Sequence, residues 1–454
     1  MTGIVGIDES GKRKEVEAML DKIEHRGQDG RAILEFDNAT FGVVWTNSKE
    51  NPIADVTEHH AIKDCAGTGR QAIAKVTDDG LSLLRDPLGV APLYYGRTGN
   101  NGEICFASEV KALIEITEDA HEVPPGYHYE KGHLQPYFLF ETLNTQPFLR
   151  DFPERIAEDL HRRLNSAVSK CLNGEEIIGS WLSGGLDSSI MAALARPKVK
   201  KLHTFAIGLP NAPDLEKAHE VADFIQSDHH ETIVDLEDLL AVLPEVIYHL
   251  ESFDAWLVRS SLTNYLVASV ASKYVSTVLS GEGADELFAG YAYLKELAPS
   301  AIQEELIDIT GRLHNTALQR VDRSAAAHGT IAHVPFLDPE VVNYAIRIPP
   351  RFKLQDGVEK WILREAMDNK LPQTILDRTK SKFWEGAGIG DLLTQFAEKQ
   401  ISDFEFTRER ELPNGWVLNS KEELMYYLIF RGHFGKLENL SWMGRTKGVV
   451  PSVY

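Results

Sequence analysis

Glu176-Ile177-Ile178-Gly179-Ser180-Trp181-Leu182-Ser183-Gly184-Gly185-Leu186-Asp187-Ser188-Ser189 reads as a short apolar strand, a glycine turn and the start of a helix. The glycines let backbone amides approach phosphate oxygens closely. Ser183, Ser188 and Ser189 add hydroxyl donors. The helix opening near Asp187 presents free amides and its positive dipole end to an anion. No lysine follows the glycines, so this is not a GxxxxGK[ST] loop. A tight strand-to-helix turn with no ligand has similar spacing, but two glycines with three hydroxyls favour phosphate.

Around this turn the chain alternates strands and helices. Glu154 to Cys171 has Ile156, Leu160, Leu164 and Val168 on one helical face. Lys201 to Ile207, His229 to Val234 and Val275 to Leu279 read as strands, and Leu215 to Ser227 as a helix. Such alternation predicts a Rossmann-like, doubly wound parallel sheet. From about residue 284 onward the pattern is mostly helical. Residues 1 to about 140 are β-rich, with runs at 32–36, 41–45, 80–84 and 103–107 and helices at 12–23 and 109–114. Residues 140–153 carry two prolines and read as a linker. The expected fold class is α/β: a first domain over 1–145 and a second over 153–454.

The 454 residues carry a formal charge of −21, which argues against binding nucleic acid or an anionic membrane. No apolar run is long enough to span a membrane, and the N-terminus lacks signal-peptide patterning. Cys65, Cys105 and Cys171 are scattered, as expected of reduced thiols in a cytoplasmic protein.

Further stretches make the resemblance specific. They are Leu202 to Leu209, Leu279-Ser280-Gly281-Glu282-Gly283-Ala284-Asp285-Glu286-Leu287-Phe288-Ala289-Gly290-Tyr291, Val334-Pro335-Phe336-Leu337-Asp338, Ile362-Leu363-Arg364-Glu365 and Arg378-Thr379-Lys380. Arg85 to Gly89 and Ala107 to Leu113 fit as well. Together they resemble the asparagine synthetase family and its β-lactam synthetase relatives over roughly residues 1 to 390. The resemblance implies a shortened Ntn-hydrolase-like α+β sandwich of the class II glutamine amidotransferase type, then an ATP pyrophosphatase domain with a helical C-terminal part. It implies ATP and Mg2+ as cofactors, and a small-molecule carboxylate and an amine as substrates. The carboxylate would attack ATP to give an acyl-adenylate and pyrophosphate, and the amine would displace AMP. A homodimer is an expectation by analogy with the family.

By the same resemblance, Leu182, Ser183, Gly184, Gly185, Leu186, Asp187, Ser188, Ser189, Ile207, Ser280 and Gly281 would contact ATP. Asp187 and Asp285 match magnesium-ligand positions; helix capping is the plain alternative for both. Lys380 matches the lysine facing charge that develops on the α-phosphate, with Lys382 two residues on. Glu282 matches the acidic residue beside the incoming amine. Arg259 and Arg320 occupy substrate-binding positions.

The chain also departs from the family. Glutamine-dependent members begin Met-Cys-Gly, whereas position 2 here is Thr2. After His25-Arg26-Gly27-Gln28-Asp29-Gly30 the chain reaches Arg85-Asp86 several dozen residues early, losing the stretch with the family's glutamine-reading residues. Asn101-Gly102 spells part of it but belongs, by order, to a later hairpin. A degenerate first domain without glutaminase activity is expected. Trp256 and Leu257 replace hydroxyls before Arg259, Leu318 stands where an amine-reading aspartate belongs, and His333 replaces an arginine. Alternative readings are a cyclising β-lactam synthetase-like ligase, a sulfur-transferring pyrophosphatase, or a non-catalytic ATP-binding subunit that needs a partner.

Overall fold

The computed structural model describes residues 2–46, 61–78, 80–99, 102–379, 386–387 and 391–446. Among the described residues, eleven strands fill the N-terminal part: β1 Thr2–Ile7, β2 Gly30–Glu35, β3 Thr40–Trp45, β4 Ala61–Ala66, β5 Arg70–Thr77, β6 Gly80–Arg85, β7 Tyr94–Arg97, β8 Ile104–Ala107, β9 His121–Glu122, β10 Tyr127–Glu130 and β11 His133–Pro136. They form two sheets, ordered β2-β3-β1-β8-β7-β9 and β11-β10-β6-β5-β4. Ile4, Phe41, Val43 and Phe106 of the first meet Ile62, Ala74, Leu83 and Tyr129 of the second in a shared core. The helix Arg13–Lys22 buries Val16, Met19 and Leu20 over the other face of the first sheet. The helix expected over 109–114 is only a single turn of 3-10 helix, Val110–Ala112.

The second part holds a five-stranded sheet of β12 Ile177–Trp181, β13 Lys201–Gly208, β14 Asp228–Ile233, β15 Thr277–Leu279 and β16 Ile331–His333. Its order is β14-β13-β12-β15-β16, and every pairing is parallel. The helix Pro153–Leu172 starts with proline at its first turn, where a missing N–H costs nothing. It ends on Asn173 in the left-handed region (φ 43°), and its buried face includes Ile156, Leu160, Leu164 and Val168. Each such side chain contributes roughly 1.5–3 kcal/mol of apolar burial. Among the described residues no helix is long and apolar enough to cross a membrane.

The two parts share one apolar core, and charged residues are buried at the seam. Arg26 donates to Glu109 at 2.6 Å and to both oxygens of Asp322 at 2.9 and 3.0 Å. Arg70 pairs with Asp64 at 2.6 Å and with Asp322 at 2.8 Å. Arg323 pairs with Glu251 at 3.0 Å, and Lys111 with Glu109 and Glu251. Four cations and four carboxylates thus neutralise one another out of reach of water.

Acid should unpick this seam. Burial, with Arg70 nearby, holds the His333 imidazole down at about 3, and burial holds His328 at about 4. Burial alone would raise the Glu122 carboxyl, but His314 and Arg85 outweigh it and hold the group at about 2. In each case the unfolded chain takes up a proton before the folded one does. Stability is therefore full above about pH 6.5, where unfolded histidine is neutral. It falls as histidines protonate in the unfolded state, and falls further below about pH 4.5 through Glu122. Thermal melts from about pH 7 down to pH 4 should show a steadily declining midpoint; a flat profile would contradict the assignment.

Candidate active site

Parallel strands bind ligands at their carboxyl ends, where the chain switches from one side of the sheet to the other. Here that switch falls between β12 and β15. A cavity of about 120 Å³ opens there, lined by Leu182 to Leu186, Gly184 excepted, by Phe205 to Ile207 and by Ser280 to Glu282, with Asp187, Ser188, Asp285 and Lys360 among the polar groups. Trp181, Phe205, Ile207 and Val267 supply an apolar wall. Gly184 has φ +66°, and a Cβ there would lie 2.5 Å from the backbone of Lys217 and Ala218 on the helix Pro213–Ile225. Only glycine lets the turn pack so closely against that helix. The Ser188 hydroxyl accepts from the Ser183 amide at 3.2 Å. The helix Leu186–Ala195 is capped by Gly185, which makes no side-chain cap bond, so its amide end points toward an anion.

Asp187 and Asp285 have equivalent places. Each is the second residue of its helix, Leu186–Ala195 and Ala284–Phe288, and the caps are Gly185 and Gly283. Neither aspartate is the N-cap. Lys360 lies between them: its ammonium is 2.7 and 2.6 Å from the two Asp187 oxygens and 2.6 Å from Asp285 Oδ1. Lys360 is 1% exposed. Gly281 lets the two loops approach, since a Cβ there would come within 2.9 Å of Asp187. Behind Asp285, burial and that carboxylate raise Glu286 to about 7, and Tyr291 donates to it. Glu282 is held by the Arg320 guanidinium. Arg378 pairs with Asp214 at the opposite rim and reaches the Ser183 carbonyl at 3.5 Å.

Residues 159–306 and 295–443 match the family model described as asparagine synthase. The chain belongs to the asparagine synthetase family. It is accordingly an ATP-dependent carbon–nitrogen ligase that forms AMP and diphosphate. Residues 54–149 match a glutamine amidotransferase domain. The chain is 35% identical over 420 residues to a protein named glutamine-hydrolysing asparagine synthetase 2 of Arabidopsis thaliana, covering 86% of this chain and 72% of that one. It is 34% identical to glutamine-hydrolysing asparagine synthetase 1 of Saccharomyces cerevisiae, covering 78% of this chain and 71% of that one. It is 32% identical to asparagine synthetase B of Escherichia coli strain K12, covering 82% and 71%. The mixed architecture agrees with an Ntn-like first part and an ATP pyrophosphatase second part.

Against this asparagine synthetase frame the singled-out residues separate. Leu182, Ser183, Gly185, Leu186, Asp187, Ser188, Ile207, Ser280, Gly281, Glu282 and Asp285 line the cavity. Gly184 faces the neighbouring helix instead, and the buried Ser189 hydroxyl donates to the Gly185 carbonyl at 2.7 Å. Arg259 is outside the cavity lining, because Glu422 and Thr394 take up its guanidinium. Arg320 reaches the site through Glu282. Lys380 and Lys382 lie outside the described residues, as does Asn101; Gly102 is in the β7–β8 turn, bonded to Thr98 and Arg97. Lys360, Asp214, Arg364 and Arg378 also line the cavity, and no role had been assigned to them from sequence. Lys360 stands two residues before the matched Ile362-Leu363-Arg364-Glu365, and that nearness was the available signal.

Proposed function

We propose that the chain activates a small carboxylate as its acyl-adenylate and passes it to ammonia or an amine without using glutamine. The observation that carries the ATP half is the convergence of a helix N-terminus, Asp187, Asp285 and Lys360 at one end of the parallel sheet. Two converging carboxylates that share Lys360 are a donor set that a hard divalent ion takes. Asp187 and Asp285 would hold Mg2+, which when bound offsets the charge of the pyrophosphate group. Lys360 balances the carboxylate pair, and the amides of Leu186 and the following residues bind phosphate oxygens. Ser280, Gly281 and the apolar wall take the nucleoside. Glu282, fixed by Arg320, orients the incoming amine or receives its proton. Residues 153–454 would be the synthetase domain and residues 1–145 a degenerate amidotransferase domain.

Thr2 in place of the nucleophilic cysteine supports the claim against glutamine, as does the missing stretch before Arg85. The relatives named above are called glutamine-hydrolysing, so this chain would differ from them in its nitrogen source. The acceptor reading rests on Trp256 and Leu257 beside an Arg259 already neutralised by Glu422, and on Leu318 in place of a carboxylate. Placing an ammonium against leucine with no partner is costly, so the acceptor would be larger or less polar than aspartate. Pyrophosphate release should be measured over a panel of carboxylates with Mg·ATP and ammonium. Aspartate is expected to give background only, and another carboxylate a clear signal. Robust aspartate-dependent release would sink the acceptor reading, and silence across the panel would count against catalysis itself.

A further inference from the structure

Beside the nucleotide turn's supporting helix, three donors from two elements converge: His219 on the helix Pro213–Ile225, and His229 and Glu231 on β14. Their ligand atoms all lie within 4.8 Å of one another. His219 Nδ1 is 3.2 Å and His229 Nε2 is 3.3 Å from the same oxygen, Glu231 Oε1. Donors bound tetrahedrally to zinc at about 2.0–2.1 Å stand about 3.3 Å apart, so these spacings already match two edges of a zinc tetrahedron.

The opposite ring nitrogens are anchored. His229 Nδ1 is 2.9 Å from the buried Thr204 hydroxyl, itself 2.8 Å from Ser227. His219 Nε2 is 3.5 Å from Asp223 Oδ2. Metal-binding histidines are held in this manner, with the far nitrogen fixed by an oxygen so that the near lone pair faces the ion. The His229 ring is 10% exposed, and its Nε2 faces Glu231 Oε1. His219 and Glu231 are open to solvent, giving the ion a path in and a place for water as fourth ligand.

We propose that His219, His229 and Glu231 form a zinc-class transition-metal site, separate from the ATP cavity. The ion would tie the helix Pro213–Ile225 to β14. His219 follows Ala218, whose backbone packs against Gly184, so the ion would fix the helix against which the nucleotide turn packs.

The test uses the full chain, stripped with chelator and free of nucleotide, titrated with Zn2+ alone by calorimetry and with Co2+ alone by visible absorption. One His-dependent ion per chain is expected, with the intense cobalt bands of a tetrahedral site and a higher melting midpoint in zinc. His219→Ala, on an exposed ring, should fold normally by circular dichroism and weaken binding roughly 100-fold or more. Thr204→Val should weaken it by about tenfold, as loss of an anchoring partner does. Wild-type zinc binding in His219→Ala, or no zinc uptake at micromolar metal, would overturn the proposal. Any weaker ion held by Asp187 and Asp285 is distinguished because the histidine variants leave it unchanged.

Discussion

Replacing Asp187 by asparagine is expected to lower ATP-dependent pyrophosphate formation by about 10³-fold while leaving the fold intact. The carboxylate is the second residue of its helix, and it shares Lys360 with Asp285. Amide for carboxylate removes one negative charge from a pair built to hold positive charge against phosphates. Loss of several kcal/mol of charge stabilisation at the reacting group corresponds to a rate loss of about that size. The plain alternative, a capping aspartate, makes the opposite forecast: about 1 kcal/mol of stability and little effect on rate. Gly185 already occupies the cap, so the melting midpoint should barely move. Kinetics of purified Asp187→Asn beside its thermal melt separates the two. A destabilised but fully active variant would refute the assignment.

Asp322→Ala is expected to cost about 3–5 kcal/mol, the usual penalty for leaving a buried charge unpaired. Asp322 receives both Arg26 nitrogens and pairs with Arg70 and Arg323. Arg26 and Arg70 belong to the first part of the chain and Asp322 to the second, so the loss falls on the seam between them. Opposing charges outweigh burial in keeping Asp322 well below the usual carboxylate range, which is the mark of a pair that is satisfied. Urea unfolding of the variant should separate into two transitions where the wild type shows one. An unchanged single transition would mean that the seam is held by apolar contact alone.

The two halves of the molecule were not equally legible. The parallel sheet was readable because its strands are short apolar runs between amphipathic helices. Leu202 to Ile207 and the residues around Ile178 are buried on both faces, and such strands stand out in sequence. The strand β16, only three residues long, carries no period to detect. In the first part the burial of β4 and β5 alternates along the strand, but Asp64 and Arg70 stand on the buried side, paired with each other, so polarity does not follow burial. The nucleotide turn was legible because its glycines are required locally. Lys360 was not, since Val358-Glu359-Lys360 reads as a solvated turn until the fold brings it beneath Asp187. The same holds for Arg26 and Asp322, 296 positions apart. Neither residue looks unusual alone, and only tertiary packing makes them partners. Arg259 shows the reverse, a residue matched by position whose charge is taken up by Glu422, in a stretch of chain whose sequence was uninformative.

The chain is an ATP-driven carbon–nitrogen ligase, proposed to work without glutamine. The most direct test is AMP formation by the purified chain with Mg·ATP and an accepted carboxylate, supplied in parallel with ammonium or with glutamine. Turnover is predicted with ammonium only, and Thr2→Ala should match the wild type in both arms. Glutamine-supported AMP formation that disappears in Thr2→Ala would contradict the account.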